Sequence, residues 1–266
     1  MRLQTLSGAH LNALYHDLEG VLAPSTRRLV HAVLHAALRD AVRWGKIVRN
    51  PADMVDPPAL SRSRAKAWTA SELRRFLEHV ADDRLFALWR VAATTGMRRG
   101  ELLGVTWRAL DLDAARLEVS QQLLPTPGGA SFGPPKSAGS RRTVALDPET
   151  VEALRRHRDG QLLERDLAGD AYDDHDLVFA DELGAPINPE RPSEWFVRHS
   201  KAAGIPGGSL HVLRHTAATL ALTSGVPVHI VAARLGDNPK TVLGTYAHLL
   251  PSSDEIAAER VAALIG

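Results

Sequence analysis

Between residues 115 and 146 the apolar residues of this chain stop recurring every three to four positions and alternate instead. Leu117, Val119, Gln121 and Leu123 share one parity, and Val144 and Leu146 stand opposite Thr143, Ala145 and Asp147. Alternation places successive side chains on opposite faces of an extended segment. It predicts strands near 115–124 and 140–146, joined by the Pro- and Gly-rich run LPTPGGASFGPPKSAGS. On both sides the spacing is helical. It predicts helices over 72–80, 84–94, 148–167, 192–203, 211–224, 227–235, 238–247 and 252–264. Thr69 with Glu72, and Ser252 with Glu255, have the spacing of capping boxes. A small antiparallel sheet set among many helices gives a mainly α, α+β layout.

Residues 1–56 also read as helical, with Ser25 as a helix cap after Pro24 and an ending at Trp44-Gly45. The stretch 57–66 holds Pro57, Pro58, Arg62, Arg64 and Lys66 and no acid. It reads as a basic linker, so the expected domains are 1–56, a partial helical domain, and 67–266. The 266 residues are 44% hydrophobic and 24% charged, which suits a globular protein with a real core. The chain has no cysteine, which excludes disulfides, thiolate nucleophiles and cysteine zinc sites. No apolar run reaches membrane-spanning length, and the first residues have no signal-peptide core, so a cytoplasmic address is expected. A net charge of +1 does not by itself advertise a nucleic-acid partner.

Four segments carry side chains suited to chemistry. In the first, Gly96 permits a turn and Arg98 opens a helix, where free N–H groups favour anions. Glu101, one turn on, can pair with Arg98. The second holds Lys136 on the hairpin connection, mobile enough to donate a proton to a leaving oxygen. In the third, His211 and Arg214 share a helix face at i and i+3, with Val212 and Leu213 turned to the core. His211 and His215 also have the i, i+4 spacing of a zinc helix, but Arg214 would crowd the cation and the catalytic Glu of that motif is absent. The fourth runs from Leu235-Gly236-Asp237-Asn238 to Tyr246. Of the three tyrosines, Tyr172 sits among Asp170, Asp173, Asp174 and Asp176, and Tyr15 lies in the short N-terminal part. Tyr246 alone lies in a near-neutral helical context close to the His/Arg helix.

Together these side chains answer one problem, the breaking of a phosphodiester. Two arginines and a histidine can neutralise the non-bridging oxygens, a tyrosine can attack, and a lysine can protonate the leaving sugar oxygen. The segments TGMRRGELLGVTW, PPKSAGSRRTVAL, HVLRHTAATL and LGDNPKTVLGTYAHL, in this order over residues 66–250, resemble the tyrosine recombinase (phage integrase) family. The resemblance implies Arg98 and Arg214 as phosphate clamps, Lys136 as general acid, Tyr246 as nucleophile forming a 3′-phosphotyrosine, and His211 as a phosphate contact that handles protons. Glu101 and His215 would be supporting residues. No cofactor and no metal is implied. The partners would be double-stranded DNA attachment sites, three further protomers in a tetramer exchanging the 252–264 segment, and an accessory directionality protein. Residues 10–56 resemble the later part of the family's core-binding domain; its first helix and an arm-site domain are not evident in the sequence. A second departure is Asp237, where the family usually has His or Trp. An ionised Asp cannot donate to a phosphate, and it is expected to point away and leave that task to Asn238 or Lys240. Other readings of the same residues are a DNA-binding remnant without recombination, a type IB topoisomerase-like relaxing enzyme, and a metal hydrolase built on His211 and His215.

Overall fold

The computed structural model describes residues 2–59, 67–127, 129–135, 138–205, 207–247 and 254–265. The chain divides into two compact units, 1–64 and 65–266.

In the first unit, helices α1 (Gly8–Asp17) and α2 (Pro24–Arg43) bury Leu11, Tyr15, Leu38, Ala52 and Val55 against one another. The start of α2 differs from expectation. Pro24 is its first residue and Ala23, not Ser25, occupies the cap position. Proline at the first helical position loses nothing, since its missing N–H would be unpaired there anyway. Tyr15 is a core residue here, its hydroxyl bonded to His31 Nδ1 at 2.9 Å.

The second unit opens on α3 (Ala70–His79), capped as expected by Thr69 and Glu72 in a reciprocal box. Helices α4 (Phe86–Thr95) and α5 (Arg99–Leu103) follow, and α4 is buried nearly all round. The sheet region is β1 (Leu110–Asp111), β2 (Arg116–Val119), β3 (Gln122–Thr126), β4 (Gly129–Gly133) and β5 (Arg142–Ala145). β1, β2 and β5 form one antiparallel sheet in the order β1-β2-β5, with Leu117 opposite Val144. The single strand expected over 115–124 is in fact two. The chain breaks at Ser120-Gln121, and β3 pairs with β4 as a separate ribbon. Gly104 explains the close approach of this ribbon to α5, since a Cβ there would lie 2.8 Å from the Gln122 Cα.

The remaining helices are α6 (Pro148–Ala168), α7 (Arg191–Ala202), α8 (His211–Thr223), α9 (Val228–Leu235), α10 (Pro239–Tyr246) and α11 (Asp254–Ile265). Each lies within a few residues of the range predicted from periodicity. The expected cap of the last, Ser252, lies outside the described residues. The main core joins α3 to α7 with the β1-β2-β5 sheet, centred on Phe76, Trp89 and Phe196. A smaller cluster of Ala218, Leu222, Val231, Ala232, Leu235, Val242 and Tyr246 holds α8, α9 and α10 together. No described helix is long and apolar enough to cross a membrane.

Candidate active site

The turn between α4 and α5 is where the site begins. α4 ends on Gly96, whose φ of 65° is left-handed. That conformation suits glycine, because a side chain there crowds the backbone. Space demands it too: a Cβ would stand 2.5 Å from Leu235 Cδ2. The tight turn leaves the Gly96 carbonyl free to accept from Arg214 Nη1 at 2.6 Å. It also sets Arg98 at the cap of α5, as the sequence predicts.

Arg98 is held from two sides. Its Nη1 donates to Glu101 Oε1 at 2.9 Å and its own backbone N–H to Glu101 Oε2 at 3.1 Å. Its Nη2 donates to the Gly236 carbonyl at 3.2 Å and to Asp237 Oδ1. Glu101 is 2% exposed and serves two arginines, since Arg142 Nη2 donates to its Oε2 at 2.9 Å. Burial pushes the Glu101 carboxyl up, but the Arg142 and Arg98 bonds outweigh burial and hold it below the usual carboxylate range. Arg142 is anchored further by Nε to the Arg234 carbonyl at 2.7 Å and Nη1 to the Ser140 carbonyl at 2.9 Å.

Arg142 is the member of this group that sequence reasoning missed. The signal was available in strand parity. Arg142 has the parity of Val144, so the same alternation that buries Val144 also turns Arg142 inward.

Helix α8 brings up the second half of the site. Val212 and Leu213 are buried in the core, as expected, and Arg214 is buried with them. Its Nη2 donates to Asp237 Oδ2 at 2.6 Å. His211 stands at the exposed start of the helix, and its ring meets that of His215 edge-on at 4.7 Å. The pKa of His211 is lowered, first by loss of surrounding water and then by Arg214 and Arg98. His215 Nδ1 lies 2.5 Å from the Tyr246 hydroxyl. Burial, then His211 and Arg214, push His215 down to about 4, so it is neutral at ordinary pH and can accept the tyrosine proton. That bond commits Nδ1 of His215 to Tyr246. Tyr246 is 6% exposed, at the end of α10. Burial raises its pKa to about 12, and Arg214 opposes that shift.

Asp237 does not point away from the site, contrary to expectation. Its carboxylate lies between Arg98 and Arg214, with one oxygen for each. The reason is electrostatic. Two arginines held side by side repel each other, and a short carboxylate on the adjoining turn relieves that repulsion. Asn238 does not take its place, because its Oδ1 accepts from Lys240 N at 2.8 Å as the cap of α10. The structure thus gathers Arg98, Glu101, His211, Arg214, His215, Asp237 and Tyr246 around one place. Lys136 lies outside the described residues.

The fold is that of tyrosine recombinase catalytic domains. Among solved structures, the Tn1549 transposon integrase in complex with transposon right end DNA aligns with a TM-score of 0.82 at 21% identity, covering 98% of this chain and 87% of that one. A XerH site-specific recombinase bound to its difH substrate aligns with a TM-score of 0.73 at 19% identity, covering 96% and 72%. The match to the Phage integrase family runs over residues 66–253, and the chain belongs to that family. It is therefore an enzyme of the tyrosine-type recombinases, which break and rejoin DNA. A "Tyrosine recombinase XerC-like" protein of Caldanaerobacter subterraneus is 26% identical over 97% of this chain and 71% of its own length. An "Integrase" of Streptomyces ambofaciens is 30% identical over 82% of this chain and 58% of its own.

Proposed function

We propose that the chain cleaves and rejoins double-stranded DNA at attachment sites through a covalent 3′-phosphotyrosine on Tyr246, without a metal ion. One observation carries the reading. A buried tyrosine hydroxyl, bonded to a neutral histidine, lies near Arg214, one of two arginines whose donors converge on a carboxylate. A carboxylate and a phosphodiester present similar paired oxygens to a guanidinium.

In the proposed step Arg98 and Arg214 take the two non-bridging oxygens, with His211 as a further donor at the open end of α8. The Tyr246 oxygen attacks phosphorus and its proton passes to His215 Nδ1. The bond from phosphorus to the 5′ oxygen breaks, and Lys136 protonates that oxygen. Glu101 and Arg142 touch no reacting atom; they fix the Arg98 guanidinium. The resting Tyr–His pair stays uncharged. Burial holds the hydroxyl's pKa up and the imidazole's down, so proton exchange between them is unfavourable at rest. Attack and proton transfer must therefore occur together, and only once phosphate is seated in line. The transition state gains from donors already fixed in place.

On this reading residues 1–56 serve as a core-binding domain, and the basic stretch 57–66 adds positive charge for the DNA. Four protomers assemble on two sites. The Tn1549 transposon integrase, similar in fold, is seen in complex with transposon right end DNA, which supports a duplex partner here. The test is a trapping assay on nicked duplexes bearing candidate attachment sites, with chelator present. A protein–DNA band that resists SDS and is lost in Tyr246→Phe supports nucleophile and metal-free chemistry together. A band that persists in Tyr246→Phe removes Tyr246 from the role, and one that needs a divalent ion removes the metal-free step.

A further inference from the structure

The feature of the site that cleavage chemistry does not use is the carboxylate between the arginines. Asp237 Oδ1 accepts from Arg98 Nη2, and Asp237 Oδ2 accepts from Arg214 Nη2 at 2.6 Å. These are the donors that a phosphodiester would need. Arg98 Nη2 also reaches the Gly236 carbonyl at 3.2 Å, and Arg214 Nη1 the Gly96 carbonyl at 2.6 Å. Those carbonyls are backbone and keep the guanidinium planes in place whatever the carboxylate does. Asp237 is therefore not needed to aim the arginines; it occupies what they are aimed at.

Its own backbone is fixed as well. Gly236 caps α9 in the left-handed region at φ 65°, Asp237 N donates to the Ala232 carbonyl at 2.9 Å, and Asn238 caps α10. The side chain keeps partial access to solvent. Rotation about its Cα–Cβ bond to another staggered position is the movement that would vacate the place while the backbone stays fixed.

We propose that Asp237 is a built-in stand-in for the DNA phosphate. It closes the arginine pair in the resting enzyme, and a duplex engages the site only by displacing it. The residue thereby sets a threshold that a scissile phosphate must overcome. The proposal rests on the reading of Arg98 and Arg214 as the phosphate clamp.

The test is the affinity of the full chain for a fluorescent duplex of arbitrary sequence, by anisotropy at fixed ionic strength. Asp237→Asn and Asp237→Ser remove the competing charge. Asp113→Asn removes one charge from a side chain that is 96% exposed, and so corrects for the change in net charge. Arg98→Ala and Arg214→Ala are made in both the parent and the Asp237→Asn chain, and thermal melts confirm that each variant is folded. The expected result is binding about tenfold tighter for both Asp237 variants than for Asp113→Asn, the size of one charged hydrogen bond set free. Arg98→Ala should erase that gain. Equal or weaker binding by both Asp237 variants overturns the proposal and shows the carboxylate to be a support for the arginines. If neither arginine variant weakens binding in either background, the clamp reading itself fails, and the proposal fails with it for that distinguishable reason.

Discussion

Glu101→Gln tests the site where its electrostatics are strongest. The substitution keeps the shape of the side chain and removes its charge. Two arginines then lose a counter-ion, but they do not lose equally. The Arg142 side chain is 7% exposed, so its bond to Glu101 at 2.9 Å is worth the full value for a charged partner, about 2–3 kcal/mol. Arg98 is 31% exposed and solvent screens its pair, which leaves about 1 kcal/mol. The sum, about 3–4 kcal/mol, agrees with the usual cost of breaking a buried ion pair. For a unit of some two hundred residues that lowers Tm by roughly 10 °C. The pH dependence follows from the direction of the shift. Glu101 titrates lower in the folded chain than in the unfolded one. Its stabilisation is fully present above the unfolded carboxyl value and is lost as pH falls through the lower folded value. Glu101→Gln should thus melt well below the parent at pH 7, with the gap closing on acidification. Calorimetry across that range measures both. A loss under about 1 kcal/mol at pH 7, or a gap that does not shrink in acid, refutes the assignment of Glu101 as the shared counter-ion.

Further outcomes follow from the same geometry. If neutral His215 takes the Tyr246 proton, single-turnover cleavage should hold its rate as pH falls through 6 and lose it only near 4, because that is where His215 protonates; an acid limb centred near 6.5 would contradict it. Arg142→Met should cut cleavage strongly while leaving duplex affinity within a few-fold of the parent, since Arg142 supports the site from behind, bonded to Glu101 and packed against Gly236; a matching loss of affinity would place Arg142 on the DNA itself. Gly96→Ala combines a left-handed backbone with a contact at 2.5 Å from Leu235 and should cost about 3 kcal/mol in urea unfolding.

How far the sequence anticipates this structure depends on how local the cause is. The helices were legible because apolar spacing decides them, and Arg98 at the cap of α5 was legible because a glycine turn precedes it. The β3–β4 ribbon was not. Its residues include Pro125, Gly129 and Gly133, which read as a turn, and pairing with a neighbour rather than composition made them strands. Tyr246 and His215 are thirty-one positions apart, so their bond could not be seen in a pattern of single residues.

Asp237 failed for a more instructive reason. Considering only the charge of an incoming phosphate, a carboxylate belongs elsewhere. Within the folded chain the comparison is different. Arg98, Arg142 and Arg214 bring three positive charges, Glu101 neutralises one, and without Asp237 the site would hold a surplus of two beside a neutral His215. Crowded like charges oppose the compact state, and Asp237 halves that surplus. The same carboxylate that eases folding must therefore compete with substrate. Stability and phosphate affinity should move in opposite directions when it is removed, and both can be measured on one Asp237→Asn preparation.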